Sequence, residues 1–207
     1  MAIEQGSLQM QYTTNPSGLI IVQAAPLVAA GFGRPDDDHN RTDTEAHLGE
    51  ADIVQYVLDE EGRLIAFAAF KDIGNRAVEL SGIVTNPSKQ RKGIGLRMVQ
   101  DFVGTQQPQD LVAYTRNPAI LRIMNEVGGV DNVLTSTDAA VVPEAEISDD
   151  GIPYHFGRYV GGLYGNYDPA TREYIGRTLI EQAVALVDPR NALAVAVKVP
   201  YNERGTS

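Results

Sequence analysis

Glu79-Leu80-Ser81-Gly82-Ile83-Val84-Thr85-Asn86-Pro87-Ser88-Lys89-Gln90-Arg91-Lys92-Gly93-Ile94-Gly95-Leu96-Arg97 is the stretch on which the fold turns. It reads as a strand that runs into a loop, and the loop opens a helix with two glycines one residue apart. Such a loop offers several backbone N–H groups at a helix N-terminus, where the helix dipole adds to them, so a phosphate or pyrophosphate is its natural guest. Lys89, Arg91, Lys92 and Arg97 put four positive charges on or beside it, in a chain of net charge -10. A Walker A loop requires Lys-Ser/Thr after its second glycine, and neither Gly93 nor Gly95 is followed by that pair. The dinucleotide fingerprint requires a third glycine or alanine where this chain has Met98, and the strands before the loop read as antiparallel, which disfavours a Rossmann unit.

Working outward, Ile53 to Leu58 and Arg63 to Phe70 flank the turn Asp59-Glu60-Glu61-Gly62 and read as a hairpin. A third strand, Ala77 to Val84, follows the turn at Asp72-Ile73-Gly74-Asn75. The helix from about Gly93 to Val103 places Leu96, Val99 and Val103 on one face, with Met98 and Phe102 widening it, and is expected to pack on a sheet. A fourth strand, Asp110 to Thr115, leads to Asn117-Pro118, an N-cap with proline at the first helical position. Ile120, Leu121, Met124 and Val127 share a face of that helix, which Gly128-Gly129 ends. Upstream, a short strand is expected over Gly18 to Gln23, a helical or turn segment from Pro26 to Gly31, and a short helix from Thr42 to Gly49. Downstream, residues 130–167 show no sustained period and read as an ordered insertion. A last helix from Asp168 to about Val187 and a strand from Asn191 to Val199 close the reading.

The 207 residues fit one domain sharing one core. No stretch approaches the roughly eighteen consecutive apolar residues of a membrane span, and Met1-Ala2-Ile3-Glu4-Gln5 opens no secretory signal, so a soluble cytoplasmic protein is expected, with no membrane partner. Without cysteine there is no disulfide, thiolate nucleophile or cysteine-ligated zinc. The acidic balance argues against nucleic acid as a partner and leaves small molecules or cationic partners. Between Asp36 and Glu61 ten acids face one base, Arg41, which reads as a solvated acidic surface or as a funnel for a cationic acceptor. His39 and His47 flank these acids without a third ordered ligand, so they read as solvated surface and no metal is expected. His155 reads as packed or exposed rather than as a general base.

Val84-Thr85-Asn86-Pro87 followed by Gln90-Arg91-Lys92-Gly93-Ile94-Gly95, with a hairpin before and a helix after, resembles the GNAT superfamily of acyl-CoA-dependent N-acetyltransferases. The resemblance runs from about Ile53 to Gly128. It implies an α/β (α+β) fold: a central mixed, mostly antiparallel twisted sheet flanked by helices, here a single domain over residues 1–207 with 130–167 as an insertion or acceptor-side lid.

The resemblance further implies transfer of an acetyl group from acetyl-CoA to a primary amine, on a small molecule, a lysine or an N-terminus, by direct attack in a ternary complex. Backbone groups of Ile83 and Val84 would line the pantetheine arm and polarise the thioester carbonyl. Gln90, Arg91, Lys92, Gly93, Ile94, Gly95, Leu96 and Arg97 would hold the pyrophosphate. Asn117 is either a cofactor contact or a plain N-cap. Glu79, a carboxylate in an otherwise apolar strand, is the candidate general base, its alternative being a solvent-facing strand residue. The helix after Asn117 lacks the tyrosine many members use to protonate the thiolate; Tyr114, Tyr154, Tyr159 and Tyr164 are the other tyrosines weighed for that task. Arg116 at a strand end is a candidate for meeting the cofactor or an anionic group. The alternative function is a non-catalytic acyl-CoA sensor or scaffold, and a third reading makes the aromatic-glycine segment and last helix a homodimer contact.

Overall fold

The computed structural model describes residues 9–115, 117–129, 133–134, 146–147, 153–155 and 192–200. They fall in two compact units, Met1–Lys71 with Ser81–Phe102, and Asp72–Leu80 with Val103–Ser207.

The first unit holds β1 (Met10–Thr13), α1 (Gly18–Phe32), α2 (Asp38–Gly49), β2 (Ile53–Leu58), β3 (Leu64–Asp72) up to Lys71, the C-terminal half of β4 (Ala77–Thr85), and α3 (Ile94–Gln106) up to Phe102. β1 and β2 pair antiparallel from Met10↔Val57 to Thr13↔Val54, and β2 pairs antiparallel with β3 around the expected Asp59–Gly62 turn. Residues Leu64 to Phe70 are all buried, because helices cover both faces of this strand. On one face Ala24, Leu27 and Val28 of α1 and Leu48 of α2 form a core with Val54, Phe67, Ala69 and Val84. On the other, α3 buries Met98, Val99 and Phe102, and the Phe102 ring stacks on Phe70 with centroids 3.5 Å apart. Gln55 is fully buried and donates to Asp101 Oδ2 at 2.9 Å and to Tyr12 Oη at 3.0 Å, while Tyr12 Oη donates to the same carboxylate, so β1 and β2 are tied to α3 by a polar cluster.

The strand expected over Gly18 to Gln23 is instead the opening of α1, which continues through the segment read from Pro26 to Gly31. Leu19-Ile20-Ile21-Val22 is strand-like taken alone, but burial falls on Ile20, Ala24, Leu27 and Val28, a helical stripe facing the sheet, and tertiary packing overrides β-branched propensity. Pro26 inside the helix is exposed, as is Val22, whose carbonyl loses its donor, so the missing hydrogen bond faces water. The chain then turns at Gly33 in the left-handed region (φ 65°). α2 starts earlier than Thr42, because Asp37 caps it by accepting from Asn40 N at 2.9 Å.

The second unit holds the N-terminal half of β4, β5 (Asp110–Thr115), α4 (Pro118–Gly128), β6 (Val133–Leu134), β7 (Glu146–Ile147), β8 (Pro153–His155) and β9 (Ala192–Lys198). β4 and β5 run parallel over three pairs, Ala77↔Asp110 to Glu79↔Val112. β5 pairs antiparallel with β9 along its whole length, and β9 pairs on with β8 and β6. The described pieces of the 130–167 segment are therefore sheet strands, with β7 pairing β8 antiparallel. α4 buries Leu121, Met124 and Val127, and at Gly128 a Cβ would lie 2.5 Å from Val197 Cβ, so only glycine lets the helix end approach β9 this closely. The helix expected from Asp168 to Val187, with Arg116, Tyr159 and Tyr164, lies outside the described residues.

Candidate functional site

In the first unit, β4 delivers its chain end into the basic loop through a series of local devices. Asn86 N donates to Ile65 O at 2.8 Å, which fastens the strand end to β3. Asn86 Oδ1 then accepts from Ser88 N and Ser88 Oγ, capping the 3₁₀ turn Pro87–Lys89. Gln90 Nε2 reaches back to Thr85 O at 3.2 Å, so this side chain closes the loop on itself. Arg91 and Gly93 both take left-handed backbone, φ 61° and 73°, and bend the chain into α3, whose first turn closes with Arg97 N on Gly93 O at 3.0 Å. The first amides of a helix have no acceptor inside it, and the dipole adds positive potential there. Lys89, Arg91, Lys92 and Arg97 are exposed around this helix start, whereas Ile94 is buried and anchors it. Ile83 and Val84 lie on the strand that feeds the loop, Ile83 half-buried and Val84 buried against α1, where a Cβ on Gly31 would come within 2.9 Å of Val84 Cγ1.

His47, read as solvated surface, is placed elsewhere: α2 turns it half-buried against β4, with Nε2 2.7 Å from where a Cβ on Gly82 would stand. Sequence spacing gave no hint of it, since the contact joins a helix to a strand far along the chain. His39 is exposed, and among the described residues no three acids or histidines gather as a metal site. The acidic run is partly neutralised locally: Arg34 pairs with Asp43 at 3.3 Å, Arg41 lies 3.7 Å from both Asp36 and Asp38, and Arg63 pairs with Asp59 and Glu61. Arg63 hydrogen-bonds the Asp59 carboxylate, and with backbone donors this holds Asp59 below its ordinary 3.8.

In the second unit, Glu79 is buried, 7 % exposed, and occupies the last pair of the β4–β5 ladder. The solvent-facing alternative for Glu79 is thereby excluded. Tyr114 on β5 is also buried. Asn117 is an N-cap: its Oδ1 accepts from Ala119 N at 2.9 Å ahead of Pro118.

Residues 22–105 match the family model described as Acetyltransferase (GNAT) family, so the resemblance read from the Val84–Gly95 stretch is borne out over that span. The fold over the described residues is that of GNAT acetyltransferases. Among solved structures, the fold is similar to the ribosomal-protein-S18-alanine N-acetyltransferase of Escherichia coli, at 12% identity and TM-score 0.55 over 96% of this chain and 99% of that one. An aminoglycoside 6'-acetyltransferase type Ii is similar at 13% identity and TM-score 0.52, over 94% of this chain and 99% of that one. A Bacillus subtilis acetyltransferase in complex with CoA is similar at 10% identity and TM-score 0.50, over 94% and 100%. No curated relative matches the sequence.

Proposed function

We propose that this chain transfers an acetyl group from acetyl-CoA to a primary amine by direct attack within a ternary complex. The observation that carries the reading is the loop from Gln90 to Arg97: a left-handed Arg91 and Gly93, exposed cations and a helix start, inside the span that matches the family. The pyrophosphate of acetyl-CoA rests on the amides of Gly93, Ile94, Gly95 and Leu96, with Arg91, Lys92 and Arg97 supplying charge and Gln90 holding the loop's shape. The CoA held by the Bacillus subtilis acetyltransferase of similar fold is in keeping with this guest. Ile83 and Val84 follow the last β5-paired position of β4, and their backbone lines the pantetheine arm and polarises the thioester carbonyl. Asn117 adds a cofactor contact to its capping role.

An amine is mostly protonated at neutral pH, and only its neutral form has the lone pair that attacks the carbonyl carbon. Glu79 accepts that proton, directly or through water. The N–C bond forms as the C–S bond breaks, and CoA leaves as a thiolate that is protonated in turn. The acceptor is a small-molecule amine, a lysine or an N-terminal amine.

A second reading, a non-catalytic acyl-CoA sensor, is favoured by one observation: α4, Pro118–Gly128, carries no tyrosine to protonate the thiolate. Calorimetric titration with acetyl-CoA, with CoA and NAD alongside, separates the cases in order. Saturable binding that an Arg91→Ala, Gly93→Asp double variant loses supports the loop assignment, and an amine screen then tests turnover. Absence of binding by folded wild type overturns both readings.

A further inference from the structure

Gly82 is the one residue of the β4 stretch from Ser81 to Val84 that covers its backbone with no side chain of its own. Its backbone does not demand glycine, because it is not among the positive-φ positions. Space is what glycine leaves to the histidine: a Cβ there would stand 2.7 Å from His47 Nε2 and 3.3 Å from His47 Cδ2, so a side chain at 82 would have to displace the imidazole. The bare patch beside Ile83 and Val84 is thus already occupied, by an imidazole delivered from the last turn of α2. The same face is filled one step along, where Val84 Cγ1 seats against Gly31 of α1. Behind His47, its helix neighbour Leu48 is fully buried, and Asp43 one turn back is held by Arg34, so α2 is fixed in place.

We propose that His47 sets the length of the acyl chain the site accepts, by filling the volume over Gly82 into which any chain longer than acetyl would extend. The inference rests on the reading of β4 as the thioester strand. With the thioester carbonyl on the backbone of Ile83 and Val84, the acyl tail runs towards the side-chain-free backbone at Gly82, and the His47 imidazole already standing over that backbone blocks its extension. A packed wall of this kind discriminates by sterics, and each methylene it must refuse is worth roughly 10- to 200-fold.

The test is calorimetry on the full chain with acetyl-CoA, propionyl-CoA and butyryl-CoA as probes, so that no acceptor need be known. Wild type is expected to bind butyryl-CoA at least about tenfold more weakly than acetyl-CoA, and His47→Ala to bring the two within about threefold while acetyl-CoA affinity holds. A merely structural histidine would weaken all three probes together and leave their ratio alone. Should His47→Ala fail to fold by circular dichroism, His47→Asn, which shortens the side chain and keeps it polar, is expected to move the ratio the same way by a smaller factor. Equal binding of butyryl- and acetyl-CoA by wild type, or an unmoved ratio in a folded variant, overturns the proposal while leaving the acetyltransferase reading standing. Failure of wild type to bind any acyl-CoA overturns that reading itself.

Discussion

Glu79 stands across from Val112 as the last pair of a parallel ladder only three pairs long, while β5 continues with β9 on its other side to Thr115. A carboxylate at the point where strand pairing stops, 7 % exposed, occupies a place that sheet stability alone would give to an apolar residue.

Glu79→Gln keeps the shape of the side chain and removes its capacity to take a proton. The expected outcome is a fall in kcat of about 10²- to 10⁴-fold with acetyl-CoA affinity unchanged, measured by thiol release and calorimetry on one preparation. An unchanged kcat removes Glu79 from the mechanism.

Gly93 holds φ 73° with open space around its Cα, so a substituent there meets no neighbour and suffers only from the backbone angle. Gly93→Ala is expected to cost about 1–2 kcal/mol in denaturant unfolding and to weaken acetyl-CoA binding by distorting the amides of the α3 start. Affinity for acetyl-CoA should also fall with added salt, since exposed Lys89, Arg91, Lys92 and Arg97 supply screened charge.

Asn117 has a demonstrated structural task and a proposed cofactor contact, and two substitutions part them. Asn117→Ala is expected to lose about 1 kcal/mol of stability with the cap. Asn117→Ser restores the cap; if it still binds acetyl-CoA more weakly than wild type, the amide touches the cofactor, and if affinity is intact, the contact does not exist.

Gly128→Ala drives a Cβ to 2.5 Å from Val197 Cβ, an atom near the backbone of a strand and unable to swing aside. Urea unfolding should show a loss of about 1–3 kcal/mol. Val197→Ala should give little rescue, because alanine keeps the offending Cβ.

Asp59 titrates below its ordinary 3.8 because Arg63 hydrogen-bonds and attracts the ionised form. A carboxylate depressed in the folded state adds stability above its unfolded value and loses it as pH falls through the folded one. The stability difference between wild type and Asp59→Asn should therefore be present above pH 3.8, disappear as pH falls below it, and shrink in salt. A difference that persists to the most acid pH would show that the aspartate acts through shape alone.

Most of the elements after Ile53 could be read from the residues, because each carries its own punctuation: the acidic turn at Asp59–Gly62, the basic glycine loop, and Asn117-Pro118 at a helix start. β2 and β5 keep the bounds expected, since strong turn or cap signals flank both. Upstream the signals conflict. Leu19 to Val22 is strand-like by composition, and only the burial of Ala24, Leu27 and Val28 against Phe67 and Ala69 reveals a helix. β1 escaped notice because Met10 to Thr13 is too short and mixed for a period to emerge. The basic glycine loop was legible because its signal is local, glycines and cations on neighbouring residues from Lys89 to Arg97. His47 was not, because its significance comes from the missing side chain at Gly82, a complementarity between distant segments that no spacing rule encodes.

β1 ends the strand order of its sheet, and Tyr12 on it shares the Asp101 carboxylate with the fully buried Gln55. A chain trimmed past Thr13 would lose more than four residues of secondary structure. It would strip the phenol from a buried amide and bare the amide row of β2, an adhesive edge that invites other chains to pair. Such a shortened protein is expected to self-associate more readily than one that keeps β1, because the six-residue β2 offers a longer edge for pairing than the four residues of β1.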